Sequence, residues 1–523
     1  MDVAVENRHS SQVLRIAQFT CLNATSTTRL AIATLVCLTV VVRIAGVGRP
    51  LLGHFATKNV MYAMIARNWA MGRCPFWLPT TDCMVGGGRG WHLLEIPLAA
   101  YVAGTGWALC GGSLDMWGRA VSVAFSAAGV WLLFLLVRDW HSARAAWAAA
   151  LVLALSPASI IFGQSFMLEP SLVFFMLSSL WCTQRWLATA RSGWFAFAAI
   201  SLAALLCTKI YMAVLLLPMA ALARQKTAGV PINERRRWLL GSVGLAVLGL
   251  APALCWCAMT LYLATADDPT HVYYSLYRSG AAQKESFSLL WSGGFYFRLL
   301  CDLAGAGATP VGLVLAALGM ISSAARRHVA WLSAMALLVI VLPGKFFELR
   351  YYTLVLVPAL AVLAGLGWER LADRVSRPGV AGAICLLLGA GCSLVLSVAP
   401  AFSTPSEDRA VTAAAAAARK MLAPTEPVAT LHGAGCDLLY YCDRPGWALS
   451  TNDRQLAEKL DTCRQQGARL LVVADLPSAD HGPAVRILAT LPIVREGDDY
   501  RIYRLQEREV RPAASGLVQV AND

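Results

Sequence analysis

His54, Lys58, Asn59, Tyr62, Arg67, Asp82, His92 and Glu95 fall within one stretch, GHFATKNVMYAMIARNWAMGRCPFWLPTTDCMVGGGRGWHLLEIPLAAY, of a chain otherwise sparse in polar groups. A second group, GQSFMLEPS, carries Gln164, Ser165 and Glu169, and CTKIYM carries Lys209 with no acid beside it in sequence. Three further segments add His271, Tyr273, Tyr274 and Arg278; Tyr296 and Arg298; and Lys345, Glu348, Arg350, Tyr351 and Tyr352. An ammonium or guanidinium without a neighbouring acid suits a phosphate. Carboxylates and histidines suit proton transfer or a metal, and tyrosines suit stacking on a sugar. The set as a whole fits attack on a lipid-phosphate donor held at a membrane surface. Bland readings stand beside this one: lysines and arginines snorkel, aromatics form interfacial belts, and an acid at a helix start favours its positive end.

The elements that must position these groups are apolar helices. Hydrophobic residues make up 57% of the 523-residue chain and charged residues only 14%, far from the roughly 25% charged of a soluble domain. With about 20 residues per crossing, spans are expected near 29–46, 117–137, 144–162, 167–184, 194–208, 210–223, 238–263, 305–322, 328–343, 351–366 and 379–399. Alternate connections hold Arg138 and Arg144; Arg185 and Arg191; Arg224, Lys226 and Arg235 to Arg237; Arg326 and Arg327; and Arg370, Arg374 and Arg377. The positive-inside rule then puts the N-terminus in the cytoplasm. The long loops 47–116 and 264–304 and the tail after Pro400, which carry the reactive groups, face the opposite side. The apolar stretch Leu93 to Leu109 is broken by Pro97, Gly104 and Gly106, so it reads as a helix on, or re-entering, the outer face. Residues 57–72 read as a short amphipathic helix.

The formal charge of +13 is dispersed between spans rather than gathered on one face, which excludes nucleic acid as the expected partner. The fifteen cysteines show no paired metal spacing. Cys74, Cys83, Cys436, Cys442 and Cys463 lie in outer segments where disulfides are permitted. After Pro400 strands and helices alternate: an Ala-rich helix over 407–421, strands at VATLHG, RLLVVAD and DDYRIYRL, and a helix over 452–467. A small α/β domain with no phosphate loop and no metal spacing follows from that pattern. The expected organisation is a cytoplasmic tail 1–28, a membrane domain 29–400 and an outer domain 401–523.

Taken in order, HFATKNVMYAMIARN, FWLPTTD, LLEIPL, WGRAVSVAFSAAGVWLLFLLVR, SPASIIFGQSFMLEP, LLCTKIYM and LRYYTLVLVPALAVLAGLG resemble segments of the GT-C glycosyltransferases, in particular the dolichyl-phosphate-mannose protein mannosyltransferase group, bacterial family 39 and the lipid A aminoarabinose transferases. The resemblance covers about residues 30–370. It implies an all-α polytopic membrane protein of the GT-C fold, with about 11 to 13 transmembrane helices and a small C-terminal α/β periplasmic domain, in a bacterial inner membrane. It also implies a polyprenyl-phosphate-linked sugar as donor, a lipid, glycan or protein as acceptor, and inversion at the anomeric carbon. By the same resemblance Glu95 and Glu169 match acidic site positions, Lys58, Lys209 and Arg350 are donor-phosphate candidates, and a divalent metal ion, if present, would use Glu95 and His271. Asn59, Tyr62, Gln164, Tyr296, Tyr351 and Tyr352 would line the cavity. Where such enzymes carry an acidic pair in the first loop this chain has Lys58 and Asn59, so His54, Asp82 and Glu95 are the candidate bases. A transporter or flippase of lipid-linked glycans, and a catalytically silent homologue, are the competing functions; the first would place its polar groups at the bilayer midplane and show repeats.

Overall fold

The computed structural model describes residues 26–505, except 54, 86, 266–271, 276–284, 400–401, 403–404, 406–407, 434, 475 and 480–483. The chain divides into two compact units: one holds the residues up to Thr81 and Trp91–Ser403, the other Asp82–Gly90 and the residues from Thr404.

In the first unit, α1 (Ser26–Ile44) leads to α2 (Ala56–Ala70). The chain then runs through β1 (Thr80–Val85) and β2 (Gly88–Leu93), whose residues Asp82–Gly90 group with the second unit, and continues in the first unit with α3 (Leu98–Cys110) and the long α4 (Leu114–Trp140). There follow α5 (Ala143–Leu155), α6 (Pro157–Gly163), α7 (Glu169–Thr189), α8 (Ser192–Thr208), α9 (Leu216–Thr227) and α10 (Ile232–Thr265). After β3 (Val272–Ser275) come α11 (Gly293–Asp302), α12 (Thr309–Met320), α13 (Val329–Val341), α14 (Pro343–Glu348), α15 (Val357–Ala372) and α16 (Pro378–Ser393).

The eleven expected crossings are not eleven unbroken helices. Three helical stretches, Leu114–Trp140, Ile232–Leu263 and Ser323–Val341, are long and apolar enough to cross a membrane singly. The crossing expected at 144–162 is a pair bent by 57° at Ser156, and that at 305–322 belongs to a pair bent by 112°. Ser156 and Pro157 cause the first break, because proline cannot donate into the preceding turn. The carbonyls freed there are not left bare: buried Arg43 of α1 donates to Ala154 O at 3.0 Å and to Ser159 O at 3.1 Å. At 13 residues, α3 rises only about 20 Å, against a roughly 30 Å hydrocarbon core. The helix expected over 57–72 is present as α2, but its amphipathic character is corrected: ten of its fifteen residues are buried, Arg67 and Asn68 among them, so it is packed into the unit rather than laid on a surface.

Small residues let the backbones approach closely, as membrane helix packing requires. A Cβ on Gly367 of α15 would stand 1.8 Å from Leu315 O of α12, and one on Gly319 of α12 would stand 1.9 Å from Leu363 O. Gly365 meets Ala145 O of α5 in the same way, at 2.4 Å.

The connections sort into two sets. Arg144 pairs with Asp373 at 2.7 Å, Arg185 with Asp139 at 3.7 Å, Ser142 with Glu369 at 2.6 Å and His141 with His328 at 2.7 Å. Four of the five connections expected to be basic and cytoplasmic thus bond to one another among the described residues.

The second unit contains α17 (Val411–Arg419), β4 (Val428–Leu431), α18 (Asp437–Cys442), β5 (Gly446–Leu449), α19 (Leu456–Gln465), β6 (Leu470–Val473), β7 (Ile493–Gly497) and β8 (Tyr500–Arg504). β4 pairs in parallel with β5 on one side and β6 on the other, β8 and β7 continue antiparallel, and Cys83 of β1 pairs with Gly446 of β5. The α/β reading holds for this tail. Strands β5 and β7 and helix α18 were not legible, because runs of four to six residues carry too little periodicity. Among the described residues no disulfide joins Cys74, Cys83, Cys436, Cys442 or Cys463.

Gly367→Ala is expected to force α12 and α15 apart and to lower stability by about 2 kcal/mol or more, measured as thermal unfolding in detergent. Gly391→Ala, at a helical position where a Cβ meets nothing within 4 Å, should be neutral.

Candidate active site

Four turns of chain deliver the site. Phe55, with φ 60°, turns the backbone into α2 so that Lys58 lies in its first turn. Loop 164–168 ends at Glu169, the first residue of α7, where Pro170 is tolerated because the first turn has no intrahelical acceptor for its missing N–H. Lys209 is an extended residue (φ −151°, ψ 102°) between the end of α8 and the tight turn Ile210–Leu215. Glu95 precedes Ile96, whose N–H donates to Cys207 O at 3.0 Å, one of the carbonyls that α8 leaves open at its end. Pro97 keeps Ile96 out of the helical region, so the Glu-x-Pro segment runs straight past that helix end.

Two ion pairs result. Lys58 Nζ donates to Glu169 Oε1 at 2.9 Å, and Lys209 Nζ donates to Glu95 Oε2 at 2.8 Å. Glu95 Oε1 also accepts from the Tyr62 hydroxyl and lies 3.3 Å from His92 Nε2. Lys58 Nζ sits 3.9 Å above the centre of the Tyr351 ring, and Tyr351, Tyr352 and Tyr211 form a continuous aromatic wall. Arg119 of α4 fixes the frame by donating to Arg49 O, Pro50 O and Gln164 O, which ties the approach to α2 to the approach to α7.

The charges balance inside a buried cluster. Burial alone would lower both lysines, but Glu169, Glu95 and Tyr352 together outweigh it for Lys58, and Glu95, Tyr352 and Glu169 together outweigh burial and the Lys58 charge for Lys209, so both ammonium groups are held above the ordinary lysine value. Burial would raise Glu95, yet Lys209, His92 and Lys58 hold its carboxyl below the ordinary range. Burial and then the Glu95 carboxylate hold the Tyr62 hydroxyl protonated. The one carboxylate oxygen left over is Glu169 Oε2, which is buried with no hydrogen-bond partner.

Of the residues singled out from the sequence, Lys58, Tyr62, Glu95, Glu169, Lys209, Tyr351 and Tyr352 converge. Asn59 is buried and donates to Phe55 O at 2.9 Å, and Gln164 is buried against Gly46. Arg350 is instead paired with Asp302 at 3.3 Å and largely exposed, and Tyr296 is half exposed with its hydroxyl on Leu290 O. Asp82 accepts from Arg89 at 3.1 Å, and both belong to the segment that groups with the second unit. His54 and His271 lie outside the described residues. Tyr211 and Arg119 take part without having been selected from the sequence, whereas His92, noted there three residues before Glu95, joins the cluster. Both Glu95 oxygens are engaged here, Oε1 by Tyr62 and His92 and Oε2 by the Lys209 ammonium, and His271, its expected co-ligand, lies outside the described residues.

Residues 95–267, from Glu95 through α10, match the family described as Dolichyl-phosphate-mannose-protein mannosyltransferase. ArnT from Cupriavidus metallidurans bound to undecaprenyl phosphate superposes with a TM-score of 0.62 at 15% identity, over 92% of this chain and 99% of that one. Its apo state gives 0.61 at 16% identity, with the same shares covered. The chain has the GT-C fold. Three of its described helical stretches are long and apolar enough to cross a membrane, consistent with a membrane location. The archaeal oligosaccharyltransferase AglB from Archaeoglobus fulgidus, in complex with an inhibitory peptide and a dolichol-phosphate, shares that fold more distantly, at a TM-score of 0.52 and 11% identity over 86% of this chain and 70% of that one. No curated protein matches the chain by sequence.

Lys209→Met should leave Glu95 as a buried charge without its cation and cost about 3–5 kcal/mol, and Lys209→Met with Glu95→Gln should recover much of that. A double-mutant cycle on unfolding in detergent reads the coupling. The sign with pH follows from the shifts. The lysines stabilise fully below about 10.5 and lose that contribution as alkali deprotonates them in the folded protein. The Glu95 contribution is complete above the ordinary carboxylate range and is lost only in strong acid.

Proposed function

We propose that this protein transfers a sugar from a polyprenyl-phosphate donor to an acceptor hydroxyl or amine on the side of the membrane opposite the cytoplasm. The observation that carries the reading is the paired cluster of Lys58 with Glu169 and Lys209 with Glu95, where one carboxylate oxygen, Glu169 Oε2, is buried and unused. Such an oxygen is a proton acceptor awaiting a donor, since a buried polar atom left without a partner costs about 1–3 kcal/mol. An acceptor X–H that donates to it would recover that cost and be aimed for attack. The undecaprenyl phosphate bound to ArnT, a protein of the same fold, supports a lipid phosphate as the donor group.

In the proposed step the acceptor oxygen or nitrogen attacks the anomeric carbon from the face opposite the phosphate. The carbon–oxygen bond to phosphate breaks with its electron pair going to the phosphate, and the acceptor proton passes to Glu169 Oε2. Lys209 and Lys58 supply the positive charge that stabilises the departing polyprenyl phosphate. The tyrosine wall of Tyr351, Tyr352 and Tyr211 offers the face on which the sugar or the first isoprene unit lies. A base carboxylate anchored through its other oxygen keeps its orientation through the reaction. Transport of lipid-linked glycans is the weaker alternative, since the polar groups collect in loops and helix starts rather than in paired helices broken at mid-depth.

The test is transfer of radiolabelled sugar from a panel of undecaprenyl-phosphate sugars by the purified protein in lipid. Glu169→Gln should reduce turnover at least a hundredfold with donor binding retained, and Lys209→Met should weaken donor binding. Unchanged turnover in Glu169→Gln would remove that residue as base. No product from any donor, with tight donor binding, would favour transport or a silent homologue.

A further inference from the structure

The second unit holds a buried cluster of one histidine and two aspartates that takes no part in the proposed transfer. His432 follows β4 directly, Asp437 opens α18, and Asp408 lies just ahead of α17. His432 Nε2 is 3.1 Å from Asp408 Oδ1 and 3.1 Å from Asp437 Oδ2, and one ligand atom from each of the three residues lies within 4.8 Å of the others. Their side chains are 5%, 9% and 4% exposed for His432, Asp408 and Asp437. This group was not legible beforehand, because Asp408 stands 24 residues before His432 and a lone His and Asp nearby form no recognised ligand motif.

Three observations point to an ion. Donor atoms bound at about 2.0–2.1 Å in a tetrahedron stand roughly 3.3 Å apart, close to the two 3.1 Å separations found. Asp437 Oδ1 is buried without a hydrogen-bond partner, and so is His432 Nδ1, so the cluster does not satisfy itself. Two carboxylates around one imidazole leave net negative charge in a buried place, whereas a divalent ion on a neutral imidazole brings the sum to zero. The location agrees. His432 follows the carboxyl end of β4, which is flanked in parallel by β5 and β6, and open α/β sheets take ligands beyond the carboxyl ends of their parallel strands.

We propose that Asp408, His432 and Asp437 bind one divalent transition-metal ion of the zinc type, with a fourth position open to water, and that the ion pins the start of the second unit to the end of β4 and the start of α18. One nitrogen and two carboxylate oxygens suit zinc or manganese, whereas calcium takes six to eight oxygens and magnesium an octahedral shell rich in water. The inference is independent of the transfer reaction, whose groups all lie in the first unit.

The experiment is calorimetric titration of zinc chloride into the full-length protein in detergent after treatment with a chelator, with thermal unfolding followed in parallel. The expected result is one site per chain, a zinc-dependent rise in the unfolding temperature that chelator reverses, and at least hundredfold weaker binding in Asp437→Asn and in Asp408→Asn. The wild-type titration and its reversal do not depend on any variant folding well. No zinc uptake by the wild type overturns the proposal, as does uptake that is the same in both Asn variants. Variants that are less stable without metal, alongside a wild type that zinc does not stabilise, would make the triad an ion pair of purely structural use and overturn it as well.

Discussion

A charge inside an apolar helical bundle must be paired, and the whole arrangement of the first unit answers to that constraint. A lone buried ammonium or carboxylate costs several kcal/mol. Lys58 and Glu169 are 111 residues apart in the chain and Lys209 and Glu95 are 114 apart, yet each is the other's counter-charge. Satisfying both pairs brings the starts of α2 and α7, the Glu-x-Pro segment and the end of α8 to one place. The same rule is met elsewhere by Arg43 on the broken α5–α6 pair and by Arg119 on three loop carbonyls. In each case a guanidinium, with five donors in a fixed fork, takes up backbone acceptors that irregular chain would leave bare.

Breaks in the helices serve the site as much as the helices do. Lys209, Glu169 and Lys58 all stand at helix ends or between helices, where a side chain can be aimed across the bundle axis instead of radially from it. Glu169 gains from the positive end of its own helix; Lys58, in the first turn of α2, is placed against that preference and is held by Glu169 and by the Tyr351 face. Phe55 tolerates a left-handed backbone because its ring is fixed against Phe162 and Tyr351. Local strain of this kind costs about 1–3 kcal/mol and concentrates where surrounding packing over-determines it.

The two units illustrate two ways of using polar groups. In the first, the two cations and two acids of the buried cluster cancel, and Glu169 Oε2 is left without a hydrogen-bond partner. In the second, two acids surround one imidazole and leave an excess of negative charge, which suits a cation rather than a phosphate. The same residue types support different chemistry because the ratio of donors to acceptors differs.

From the sequence alone, the membrane nature, the GT-C resemblance, the helix over 57–72, the α/β character of the tail and most of the converging residues could be read, because composition, periodicity and ordered motifs are local properties. Lys58, Glu95, Glu169 and Lys209 were identifiable as ionisable groups out of place in apolar surroundings. Their pairing was not, since nothing in 111 residues of intervening chain records which acid meets which base. Tertiary structure alone decided that Arg350 turns to Asp302, that Asp82 belongs with Arg89, that α2 is buried on nearly every side, and that Asp408, His432 and Asp437 meet. Charge pairing depends on distance in space and on burial, and both are set by how the helices pack, not by spacing along the chain.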